Sequence, residues 1–292
     1  MGNYRNMIRM QFRLMINKKE FQLVYLINLV YVFLVYLKHI SAYWGDEVST
    51  ILSPGSTSAI VWHYNISRIY HIYIILLPFL LVLPFAMSFI DDNKNLILFA
   101  LQIRSGVKVY YIAKGIVCFI GGFLAFFVPL FMNFILNHVT FPDSGLTFMG
   151  DLYDINFDSL VTGAGLTIEA RGPKTWFLPL FLASQEGYTL LFCILFSIEM
   201  GIFSTFVYVV SFVLKRSKLT LLLPFYLITA CFEKLELIYR GREPYLCYSI
   251  LSYFMLDGWY GKDPLFIGIV ILAVLFIIVL GIHWQIRRDQ LE

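Results

Sequence analysis

One carboxylate, Glu199, stands in the middle of an apolar run, Ser197-Ile198-Glu199-Met200-Gly201. A charge at membrane depth is costly and marks a functional position by default. Such a group pairs with a basic partner, lines a translocation path or senses protons. Otherwise it is a neutral carboxyl hydrogen-bonded inside a helix bundle, and the residues leave these alternatives open. Glu233, Lys234 and Glu236 fall where a later apolar run should end. Their charges either cancel locally or form part of an external gate with the aromatic stretch that follows, which includes Tyr248, Tyr253 and Phe254. No GxxxxGK[ST] phosphate loop, HExxH or GxSxG is present. The histidines at 39, 63, 71, 138 and 283 are scattered and are expected to be interface residues rather than ligands. No metal or cofactor is therefore expected in the chain, and an energy source would come from another chain or an ion gradient.

The elements that position these groups follow from the composition. Hydrophobic residues make up 59% of the chain and charged residues 14%, where a soluble domain carries roughly 25% charged. That is too little charge to cover a water-facing surface, so the bilayer is the expected solvent. The basic residues collect in patches at Arg5/Arg9/Arg13/Lys18/Lys19, Lys94/Arg104/Lys108/Lys114, Lys215/Arg216/Lys218 and Arg287/Arg288, with acids enriched in the alternate gaps. Cytoplasmic loops retain Lys and Arg. The alternation therefore predicts a multi-pass protein of the cell membrane with both termini cytoplasmic. The basic excess faces anionic lipid and cytosol, not nucleic acid. Cys118, Cys193, Cys231 and Cys247 lie in apolar runs without zinc-site spacing and are expected to be buried thiols.

Roughly twenty apolar residues span a bilayer. The predicted fold is an all-α membrane protein with six transmembrane helices, near 21–37, 70–90, 115–136, 188–214, 219–237 and 264–284. Residues 1–20 form an amphipathic helix in the membrane interface, with Arg5, Arg9 and Arg13 at helical spacing. It serves as a topology anchor or also touches a cytosolic subunit. Residues 21–292 are the transmembrane domain, with external loops at 38–68 and 137–187. The second external loop carries Asp143, Asp151, Asp154 and Asp158 without EF-hand spacing. The segment 238–263 contains an aromatic stretch too short to span, so it is expected to be a re-entrant or interfacial helix on the external side.

The loop 91–114 is the sharpest signal. Asp91 and Asp92 suit a helix N-terminus, and a short amphipathic helix follows with apolar knobs at Leu98, Phe99 and Leu101. Ser105-Gly106 breaks it, and a second basic, aromatic turn with Lys108, Tyr111 and Lys114 leads into the third span. An exposed helix of this kind fits a groove in a partner or rests on lipid. Together with six spans, an N-terminal interfacial helix and a re-entrant segment before the last span, this loop resembles the ABC-2 type permeases. The likeness extends over nearly the whole chain. The chain has Asp where the family commonly has Glu, and lacks the Pro often found near Ser105.

The resemblance implies that this loop is the coupling helix seated on a cytosolic ATP-binding subunit. Its positions then fall on Asp91, Asp92, Leu98, Leu101, Ser105, Tyr111 and Lys114, with Arg104 and Lys108 as the basic residues of the same surface. It further implies two ATPase subunits, which bind ATP and Mg, and a second permease copy or paralogue. The expected function is the membrane subunit of an ATP-driven exporter of an amphipathic or apolar cargo such as a peptide, lipid or drug, without an ATPase site of its own. Two other classes stay open: a membrane-embedded enzyme using intramembrane carboxylates, and a membrane sensor or immunity protein.

Overall fold

A computed structural model of the chain describes residues 2–83, 88–94, 97–145, 177–214, 221, 226–227, 229, 231, 250–251, 253–256 and 264–291. The described residues are all-helical apart from turns and an isolated parallel bridge between Val61 and Leu256. In chain order the helices are α1 (Gly2–Ile16), α2 (Lys19–Ala42), α3 (Ser67–Val82), α4 (Ser88–Lys94), α5 (Ile97–Ser105), α6 (Val107–Thr140), α7 (Leu178–Ala183), α8 (Gln185–Val213) and α9 (Pro264–Leu291). Five of them, α2, α3, α6, α8 and α9, are long and apolar enough to cross a membrane. Most of the expected span at 219–237 lies outside the described residues, as do Glu233, Glu236 and Tyr248.

The outer faces of these helices identify their solvent. On α2, Phe21, Val24, Tyr31, Val32 and Val35 turn inward, whereas Leu23, Leu26, Val30, Phe33 and Leu37 are exposed. On α9, Leu265, Ile269, Leu272, Phe276 and Val279 are exposed in the same way. Continuous apolar faces of this size are not left in water. The protein is membrane-embedded.

The core is the pairing of α6 with α8. A Cβ placed on Gly122 would lie 2.8 Å from Ser204 Cβ and 3.0 Å from Gly201 Cα. One placed on Gly201 would lie 2.9 Å from the Phe119 carbonyl oxygen. The backbones therefore approach as closely as small residues permit, a recurrent way of joining helices in lipid. The small residue opposing Gly201 is Gly122 of α6, and Ser197, one turn earlier on α8, donates its hydroxyl to the Cys193 carbonyl at 2.7 Å. Met15 at the end of α1 packs on Gly121 of the same helix.

Three expectations change among the described residues. Residues 52–61 belong to the expected external loop, yet every one of them is buried. This irregular stretch, Leu52-Ser53-Pro54-Gly55-Ser56-Thr57-Ser58-Ala59-Ile60-Val61, is held by side chains from the surrounding helices. Tyr31 donates to the Ala59 carbonyl at 2.7 Å, and the Ala59 amide donates to Asn133 Oδ1 at 2.8 Å. Ser53 donates to Gln185 Oε1 at 2.8 Å, and Thr189 donates to the Gly55 carbonyl at 3.3 Å. Non-helical backbone inside a membrane protein is tolerated only when it is satisfied in this way. The second change concerns the aromatic stretch before α9. Its described residues, 250–251 and 253–256, are buried turns rather than a helix, and Leu256 exchanges backbone hydrogen bonds of 2.8 Å with Ile60 and Trp62. The third concerns the cysteines: Cys118 and Cys193 are buried, whereas Cys231 is exposed.

Gly201→Leu should separate α6 from α8 and lower the detergent melting temperature by several degrees, as overpacking costs about 1–3 kcal/mol. Gly268→Ala, where an added Cβ meets nothing within 4 Å, should leave the melting temperature within about a degree of wild type.

Candidate functional site

The residues singled out between Asp91 and Lys114 gather at one end of the bundle. Helix α6 has 34 residues, about 51 Å at 1.5 Å per residue, against a hydrocarbon core of about 30 Å. The helix is thus longer than the apolar layer, and its start carries the charged side chains Lys108 and Lys114. Helices α4 and α5 fold back on this charged stalk. Gly106 makes the reversal possible, because its φ of +88° is one that residues with a Cβ rarely adopt.

Asp92 is the hub of the fold-back. It forms an ion pair with Lys114, whose side chain is fully buried, and it accepts from Tyr110 Oη at 2.7 Å. Lys114 also donates to Tyr110 Oη at 3.0 Å. An ammonium withdrawn from water is tolerated only when paired and hydrogen-bonded, and Asp92 with Tyr110 supplies both conditions. Asp91 takes a different partner, Lys18, at 2.8 Å, where both side chains are about a quarter exposed. This contact ties the α1–α2 junction to α4.

A second hub centres on Tyr111 and Asp289. Tyr111 donates to Asp289, which also accepts from Gln102 Nε2 at 2.9 Å and Gln285 Nε2 at 2.8 Å. The Tyr111 carbonyl accepts from Tyr208 Oη of α8 at 3.3 Å. Phe89, Tyr111, Tyr208 and Phe212 pack edge to face, with Phe89 and Phe212 5.0 Å apart. Together these contacts join α1, α4, α5, α6, α8 and α9 at this end.

The arrangement separates the expected partner-facing residues into two groups. Asp91, Asp92, Tyr111 and Lys114 bind one another's elements internally. Leu98 is 7% exposed, and Leu101 is half-buried against the core; neither is an outward knob. Ser105 donates to the Leu101 carbonyl at 2.7 Å and closes the end of α5. What α5 presents outward is Phe99, 66% exposed, and Ile103, 85% exposed, four residues apart on one face, with Ala100, Arg104 and Lys108 beside them. Arg5, Arg9 and Arg13 are exposed along α1, while Met7 and Met15 are buried against the bundle and Leu14 faces outward.

Glu199 is 1% exposed, inside α8. Tyr253 and Phe254 are buried near the other end of the bundle, 6.0 Å from Phe266 and 6.4 Å from Phe192 respectively, by ring centroids. They lie more than one helical turn from Glu199 along α8. Sequence reasoning missed Asp289, Gln285 and Gln102, because a polar residue near a helix end gives no sign of its partner. It also missed the 52–61 segment, although the absence of any Asp, Glu, Lys or Arg between Val48 and Ser67 was a signal. No family model, curated protein or solved structure matches the chain.

Asp92→Asn removes the partner of a buried ammonium and should cost about 3–5 kcal/mol. Asp91→Asn, at a partly exposed pair, should cost only about 0–1 kcal/mol. Denaturation of the two variants in matched detergent measures the difference.

Proposed function

We propose that this chain is the membrane-spanning subunit of an ATP-driven transporter, and that the outward face of α5 seats a cytosolic ATPase. The observation that carries the proposal is the exposed pairing of Phe99 and Ile103 on a short helix packed on the charged start of α6. A groove in a soluble partner is the cover that suits an i, i+4 apolar pair with Arg104 and Lys108 at its rim. The internal network behind α5 supports the same reading. A push on α5 passes through Gln102 and Tyr111 to α9, through Tyr111 to α8, and through Asp92 and Lys114 into the stalk of α6.

Six crossings and cytoplasmic termini belong to this proposal. The end of α8 lies at the network end, by Tyr208 and Phe212, whereas 253–256 pack by Phe192 and Val61 at the opposite end. Leu214 and Ile250 therefore lie toward opposite ends of the bundle, which supports a sixth crossing. Helix α9 then ends at the polar network, where Asp289 accepts from Gln102 and Tyr111. The basic patches on this side, Arg5/Arg9/Arg13 and Arg287/Arg288, favour the cytoplasm.

The mechanism is mechanical. A partner that binds one arrangement of α5 better than another shifts the permease between states, and reversing a 1:99 equilibrium takes about 5.5 kcal/mol of differential binding. Two permease chains and two ATPases, with ATP and Mg on the latter, complete the assembly. Export of an amphipathic or apolar cargo is the direction and class we propose. Glu199 and the aromatic residues Tyr253 and Phe254 are the candidates for the pathway, and Arg5, Arg9 and Arg13 hold α1 at the lipid interface.

Phe99→Asp and Ile103→Asp should each abolish co-purification of an ATPase encoded beside this chain, with the melting temperature of the permease unchanged. ATPase retention by both variants would contradict docking at this face. Glu199→Gln should reduce transport in vesicles at least about tenfold if the carboxylate acts in the path, since about 1.4 kcal/mol of lost stabilisation has that effect. Undiminished transport would make it a structural group.

A further inference from the structure

We propose that His138, Asp143 and Glu186 form a binding site for a divalent transition-metal ion of the zinc class, placed at the end of the bundle opposite the polar network. The three residues come from the last turns of α6, from the turn that follows it and from the first turn of α8. One ligand atom from each lies within 4.8 Å of the other two. Asp143 Oδ1 is 3.6 Å from His138 Nδ1, and Glu186 Oε2 is 4.0 Å from His138 Nε2. These separations exceed hydrogen-bond length. Asp143 faces Nδ1 and Glu186 faces Nε2, so two carboxylates flank one imidazole without being hydrogen-bonded to it, and a single ion would take one ring nitrogen with both carboxylates drawn to that side.

The donor set selects the ion. One nitrogen and two carboxylate oxygens suit zinc, with three protein ligands and a fourth position for water. Calcium takes six to eight oxygen ligands and has no use for the imidazole. Ligand atoms around a tetrahedral zinc lie about 3.3–3.6 Å apart, so the group, within 4.8 Å, closes by side-chain movements of up to about 1.5 Å. Asp143, with its side chain 80% exposed, has room for that movement. The other two ligands are set on firm supports. Phe134 stacks edge-on against the His138 ring at 5.0 Å and orients it. Ser184 caps α8 by accepting from the Gly187 amide at 3.0 Å, which fixes the turn that carries Glu186. The Phe141 amide donates to the Asn137 carbonyl at 2.8 Å, and the Gly145 amide to the Pro142 carbonyl at 3.0 Å, so the Asp143 turn is closed as well. Linear spacing hid this group, because 138, 143 and 186 match no short ligand motif.

An ion here would clamp α6 to α8 at the end farthest from α5 and fix the outer termini of the central helix pair.

The test uses the full chain in detergent, stripped with EDTA and titrated with Zn2+ by calorimetry, with Co2+ as a spectroscopic probe. One saturable equivalent of Zn2+ is expected, with the visible d–d absorption of tetrahedral Co2+. His138→Ala and Asp143→Asn should each weaken binding by more than the ~10-fold that loss of an outer-shell partner typically costs. His71→Ala, on the outer face of α3, should leave it unchanged. Because Asp143 is exposed, Asp143→Asn keeps the test valid even if His138→Ala fails to fold. Absence of a saturable equivalent, or binding insensitive to Asp143→Asn, would overturn the site and leave an ordinary histidine–carboxylate cluster.

Discussion

Lys114 is fully buried near the base of the longest helix, and its ammonium is matched by Asp92. Withdrawing an ammonium from water costs several kcal/mol, and that cost is offset only by a close counter-charge with further hydrogen bonds. The chain has to bring α4 back to the α6 stalk for this to happen. Once it does, Phe89 meets Tyr111, Tyr208 and Phe212, Lys18 reaches Asp91, and Leu98 enters the core. The opposite face of α5 is thereby turned outward with Phe99 and Ile103 on it. One buried charge thus dictates which residues of the loop are internal struts and which are turned outward.

The two ends of the bundle are built on different chemistry. The α5 end relies on ion pairs and aromatic contacts, with charged groups at its rim. The other end carries an uncharged irregular segment, 52–61, wedged among α2, α6 and α8 and secured by Asn133, Tyr31, Gln185 and Thr189. Below it, Tyr31 and Tyr73 stack at 3.7 Å, and Asn28 links Tyr73 to the Ala125 carbonyl. Hydrogen bonds from three helices fix this segment at depth. The close α6–α8 crossing at Gly122 and Gly201 joins the two ends.

The long helices were legible in the sequence because lipid demands continuous apolar runs, and the observed elements extend the expected spans by only a few residues at most ends. The end of α3, at Val82 rather than 90, and the end of α9, at Leu291 rather than 284, differ more, as does the start of α6, at Val107 rather than 115. The first turns of α6 carry Lys108, Tyr110, Tyr111 and Lys114, which look like loop chemistry until the partners are known. The break at Ser105-Gly106 was also legible, since only glycine is at ease with the required φ. The facing of the short helix was not. In nine residues, Leu98 and Phe99 are adjacent, and hydrophobicity alone does not say which turns inward; the Asp92–Lys114 pair decides it. The 52–61 segment was hidden for a related reason. Ser, Thr, Gly and Pro read as an aqueous loop, and their burial depends on donors from α2, α6 and α8 that are distant in sequence.

A photo-activatable cross-linker placed at Ile103 in native membranes tests the central claim most directly. The account predicts one dominant adduct, to a soluble protein that binds ATP, lost when the linker is moved to Leu98 in the core. Adducts to lipid, or labelling at Ile103 that matches a lipid-facing position such as Leu272, would place α5 in the bilayer and contradict the account.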